Sequence, residues 1–95
     1  MTKTEIKRQV NSRFYQYVTE NFPQYELDFD QGGGRVYLVH TSGTNSSDNS
    51  IEYHQSYHDL VCFNWASEET KNDVSVMQTY INNNIIPSVN TILEF

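Results

Sequence analysis

Ninety-five residues leave room for one hydrophobic core, so a single domain over residues 1–95 is expected. A formal net charge of −6 with six basic residues argues against direct nucleic-acid binding, because every phosphate contact needs a Lys or Arg to displace counterions. A hydrophobic fraction of 37%, 14% of the chain being aromatic, is too apolar for a disordered acidic tail.

The charge is uneven along the chain. Residues 1–19 carry Lys3, Lys7, Arg8 and Arg13 against Glu5 (+3), whereas residues 20–95 carry eleven acids against Arg35 and Lys71 (−9). The lone Cys62 has no internal disulfide partner, and the start of the chain lacks the apolar stretch of a secretion signal, so a reducing cytoplasm is the expected location. No apolar run approaches the roughly 20 residues needed to cross a bilayer, which sets membrane roles aside.

Ile6, Val10, Phe14, Tyr17 and Val18 fall on one stripe at helical spacing, and Thr2 with Glu5 has the spacing of a capping box. The pattern predicts a helix from about Thr4 to Glu20, ended by Asn21, Phe22 and Pro23. Tyr15 lies off this stripe and is a candidate partner contact, although Tyr is as common in packed positions. Lys3, Lys7 and Arg8 sit where the helix dipole disfavours cations, and a solvated face is their simplest explanation.

From Tyr25 to Asp30 the chain alternates strictly, with Tyr25, Leu27 and Phe29 on one side and Glu26, Asp28 and Asp30 on the other. That is a strand with one wet face. Gly32, Gly33 and Gly34 then allow a tight turn, and Arg35 to Thr41 returns as a second strand of a hairpin. The glycines lack the spacing of a phosphate loop and precede a strand, so the turn accounts for them.

Ser42 to Ser50 has no apolar residue and reads as a surface loop. Ile51 to Trp65 alternates again and predicts one long strand, or two strands bent near His58 and Asp59. Alternation puts Ile51, Tyr53, Tyr57, Val61, Phe63 and Trp65 inward, and Glu52, His54, Ser56, His58 and Cys62 outward. Ser67 with Glu68 and Glu69 starts a second helix. Val74, Met77, Ile81, Ile85, Val89 and Ile92 form its stripe, with a kink or break at Asn82 to Asn84 and Pro87.

The expected fold is α+β in the order α-β-β-β-α, an antiparallel meander of three strands, or four, with both helices packed on one face. The opposite face is then open, and alternation assigns Glu26, Asp28, Asp30, Glu52, His54 and His58 to it.

His54, His58 and Cys62 share a parity, but residues four apart on a strand are about 13 Å apart while zinc ligands sit about 2.0–2.3 Å from their ion, so no metal site is expected. No nucleophile stands beside a base and an orienting group, and Asp28 and Asp30 fall on an open face without a cleft to raise a carboxyl pKa, so neither enzymatic chemistry nor a cofactor is expected.

The acid row is the sharpest remaining feature. Glu26, Asp28 and Asp30 stand about 6.7 Å apart along one strand face and, joined by Glu52 and Asp59, offer a regular set of negative charges to a basic protein. Acids on a strand also serve to keep a small domain in solution and to guard an edge. In size, charge and element order the chain is similar to the small acidic inhibitors that phages and mobile elements direct at host enzymes, such as anti-CRISPR proteins or uracil-DNA glycosylase inhibitors. No residue motif carries that likeness, and no residue role is transferred from it. The expected function is therefore a non-enzymatic protein-binding module that mimics nucleic-acid charge toward a basic, nucleic-acid-handling protein. The competing expectation is a homodimer or adaptor formed through an exposed strand edge or through Val76, Tyr80, Ile86 and Leu93, which lie off the main stripe of the second helix.

Overall fold

The computed structural model describes residues 2–30, 32, 34–41 and 50–88. The chain runs α1 (Lys3–Asn21), β1 (Tyr25–Phe29), β2 (Arg35–His40), β3 (Ser50–His54), β4 (Asp59–Cys62) and α2 (Glu68–Tyr80), continuing into a π-helical turn (Ile81–Ile85). The four strands form one antiparallel sheet in the order β1-β2-β3-β4, as a meander of local connections produces. The fold class is α+β, with the larger of the two expected strand counts.

Thr2 caps α1 by accepting the Glu5 N–H at 3.2 Å, the half of the capping box that involves the hydroxyl. Val10, Phe14 and Val18 recur every four residues and are buried, and Phe22 closes the helix by donating its N–H to the Val18 carbonyl at 2.7 Å. Across from them the sheet contributes Tyr25, Val36, Leu38, Ile51, Tyr53 and Leu60, and the second helical segment adds Met77, Ile81 and Ile85. One buried cluster thus takes residues from every element, all from a single face of the sheet. Among the described residues of the glycine-rich turn Gly34 takes a positive φ of 64°, where a side chain would be strained.

The segment 51–65 resolves into two strands joined by a turn at residues 55–58, and this reverses the expected parity of its second half. Tyr53 pairs with Leu60 and Ile51 with Cys62, so Leu60 and Cys62 continue the inward row. Val61, Phe63 and Trp65, expected inside, are exposed instead. Tyr57, also expected inside, stands at the turn with 82% of its surface in solvent. His58, expected on the open face, takes a positive φ of 50° and turns toward the core edge, its Nδ1 2.9 Å from the Tyr53 hydroxyl. The physical reason is that a four-residue turn breaks the period-two register that a continuous strand would have kept.

Ser67 caps α2 by accepting the Thr70 N–H at 3.2 Å. The expected break near Asn82 to Asn84 and Pro87 takes a specific form: the helix widens by one residue, and the Ile86 N–H reaches the Ile81 carbonyl. Pro87 has no N–H and crowds the preceding turn, and the wider turn relieves that crowding while keeping both Ile81 and Ile85 buried. Val89, Ile92 and Leu93, and the loop at 42–49, lie outside the described residues.

Candidate protein interface on the open sheet face

Among the described residues no element covers the other side of the sheet, and its residues form rows across the strands. One row reads Asp28, Tyr37, Glu52 and Val61; beside it run Glu26, Val39 and Ser50, and on the other side Arg35, His54 and Asp59. Four strands about 4.8 Å apart place β1 and β4 some 14 Å from each other, the width of a small interface patch.

The acid row is where the alternation predicts it. Glu26, Asp28 and Asp30 are exposed, as is Asp59. The ion pairs among the described residues involve none of these four. Asp59 accepts the Leu60 N–H at 3.1 Å, whereas no hydrogen bond among the described residues reaches the carboxylates of Glu26, Asp28 and Asp30.

Glu52 behaves differently. Its Oε1 lies 3.1 Å from the Arg35 guanidinium and 3.2 Å from His54 Nε2. That oxygen is shielded from solvent without a well-aligned hydrogen bond, so the pair is electrostatic more than directional. The centre of the face is consequently close to neutral, and the negative potential is confined to the β1 edge, with Asp59 at the far corner.

Tyr15, expected as a projecting contact, is half-buried. Its ring meets Phe29 edge-on at 5.4 Å and Tyr53 at 6.3 Å, and its hydroxyl accepts from Gln55 Nε2. Burial raises its phenol pKa, and the Gln55 hydrogen bond partly offsets that rise. It sits on the helix side of the sheet, away from the acid row.

The reversed parity of β4 supplies what the sequence reading missed. Val61 and Phe63 project onto the open face, and Phe63 stacks on Trp65 with ring centroids 5.0 Å apart and planes 9° from parallel. Trp65 is 65% exposed. A shallow depression of about 30 Å³ lies among Tyr37, Ser50, Glu52, Val61, Cys62 and Phe63. The available sign was that Leu60 and Cys62 are as apolar as Val61 and Phe63, so both parities were equally consistent with burial.

The depression, and the larger groove of about 230 Å³ between α1 and the π-helical turn, both fall below the roughly 300 Å³ at which small-molecule sites begin. His54 is paired with Glu52, His58 faces Tyr53, and no group of three or more His, Cys, Asp or Glu gathers among the described residues. No described helix is long and apolar enough to cross a membrane. Of the residues off the α2 stripe, Tyr80 stacks on Tyr17 at 3.7 Å and Ile86 packs against the core, while Val76 is exposed. No family model, curated protein or solved structure matches this chain.

Proposed function

We propose that this chain is a non-enzymatic protein-binding module whose open sheet face docks on a basic protein surface. The observation that supports it is the coexistence, on one uncovered face, of unpaired carboxylates along β1 and an exposed aromatic strip along and beyond β4. The acids steer an oppositely charged partner and speed encounter, while burial of Phe63 and Trp65 supplies the affinity that exposed charges alone do not. A nucleic-acid-handling protein is the class of partner that carries such a basic groove, and occupation of that groove would make the chain an inhibitor acting in the cytoplasm.

The test is binding across salt. Charge reversal at Glu26→Lys, Asp28→Lys and Asp30→Lys together is expected to abolish low-salt capture of the partner with the fold intact by circular dichroism. If the triple variant still holds every protein that the parent chain captures, the acid row is not the site. The competing homodimer draws on Val76 of α2, and light scattering that finds a strict monomer at micromolar concentrations removes it.

A further inference from the structure

The two edges of the sheet are treated differently. At β4 the side-chain amide of Gln78 reaches across from α2 and occupies outward main-chain groups, accepting the Leu60 N–H at 2.9 Å and donating to the His58 carbonyl at 3.0 Å. That edge is occupied at its start, at His58 and Leu60.

At β1 the flanking bonds fix the alternation: the Thr41 N–H donates to the Gln24 carbonyl, and the Asp30 N–H to the Arg35 carbonyl. Glu26 and Asp28 therefore turn their main-chain groups toward β2, and Leu27 and Phe29 turn theirs outward. The Tyr25 N–H is satisfied by the Phe22 carbonyl. No hydrogen bond among the described residues reaches the outer side of Leu27 or Phe29.

Side-chain chemistry along this free edge is two-sided. Glu26 and Asp28 present carboxylates on the open face, whereas Leu27, half-buried, and Phe29, 55% exposed, present apolar surface on the helix side. A second copy of β1 is a poor occupant, because antiparallel self-pairing centred on Leu27 sets Glu26 against Asp28 twice, with like charges directly opposed.

We propose that the β1 edge accepts an extended segment of the partner protein as a fifth strand, in which basic side chains alternate with apolar ones. Opposite residues on paired strands carry their side chains on the same face, about 4.5–5.5 Å apart at Cβ. Cations on the added strand thus meet Glu26, Asp28 and Asp30, and the intervening apolar residues cover Leu27 and Phe29. The Leu27 and Phe29 main-chain groups complete the ladder, as in other strand-addition complexes. This inference rests on the open-face reading and narrows its partner to one class of segment.

The probe is a capped heptapeptide of alternating lysine and valine, KVKVKVK, against the same residues in blocks, KKVVVKK, each titrated into the full-length isotope-labelled chain. The alternating peptide is expected to slow amide exchange at Leu27 and Phe29 at least about tenfold, and the block peptide to leave both unchanged. The double variant Glu26→Lys, Asp28→Lys is expected to lose the lysine peptide and to bind EVEVEVE instead. Equal effects of both lysine peptides, or no protection by KVKVKVK at millimolar concentration, would overturn the fifth strand. Perturbation confined to residues 61–65 would also overturn it while leaving the wider face as the binding site, which the triple reversal judges separately.

Discussion

The Tyr53 hydroxyl joins three elements at the edge of the core. It donates to Asn11 Oδ1 at 3.1 Å, and its oxygen lies 2.9 Å from His58 Nδ1, which must then carry its proton inward. Tyr53→Phe leaves both partners unsatisfied in a half-buried site and is expected to cost about 1–2 kcal/mol in a urea titration. Burial, and then the nearby Lys7 charge, lower the His58 pKa below 6.5. The unfolded chain therefore takes up the proton more readily than the folded one. Stability from this residue is complete above about pH 6.5 and is lost as the pH falls from there toward the lowered folded value. His58→Asn tolerates the positive φ and does not titrate, so the stability difference between parent and variant is expected to move in the variant's favour between about pH 7.5 and about pH 5. A constant difference across that range would place His58 in a solvated setting. None of this network was legible in the sequence: parity sent His58 outward, and a positive φ on a non-glycine residue leaves no mark in a residue pattern.

At the scale of elements, the parts legible in the sequence were those set by unbroken periodicity. Val10, Phe14 and Val18 fixed the buried side of α1, and the Tyr25 to Asp30 alternation fixed β1 to the residue at its start. The misread elements were those where a turn shifts the register. Gln55, Ser56, Tyr57 and His58 contain no Gly, Pro or Asn to announce a hairpin, and the two parities of Leu60 to Phe63 are equally apolar. The aromatic half of the candidate site was lost there. Gln78 plays an element-scale role that polarity alone could not show, since it substitutes for a strand at the β4 edge. Gln78→Ala is expected to destabilise the chain by about 1–2 kcal/mol, by leaving the His58 carbonyl without its donor and the Leu60 N–H with only the Asp59 Oδ1 contact at 3.1 Å. Gln78→Glu retains the acceptor but not the donor, and its loss is expected to be smaller near neutral pH. Equal stability of all three chains in chemical denaturation would mean that water serves that edge as well as the amide does.

Across the whole molecule, charge and apolar surface are sorted by face. Lys3, Lys7 and Arg8 lie exposed on α1, on the helical side, while Glu26, Asp28 and Asp30 line the far side of the sheet. The sorting follows from one strand's alternation and one helix's outward stripe, both of which the residue pattern contains. The neutral centre does not follow from it, because the convergence of Arg35 and His54 on Glu52 depends on a cross-strand register set by the β2–β3 pairing. Exposed carboxylates away from partners contribute little to folding, so the triple charge reversal is expected to change stability by no more than about 0.5 kcal/mol per site while removing binding. The most direct measurement of the open-face claim is site-specific photo-crosslinking in extract of the source cell, with the photoreactive residue placed in turn at Asp28, Phe63, Arg8 and Val76. Asp28 and Phe63 are expected to capture the same protein, and Arg8 and Val76 to capture none. Capture of a protein from Arg8 or Val76, with Asp28 and Phe63 silent, would contradict the open-face claim.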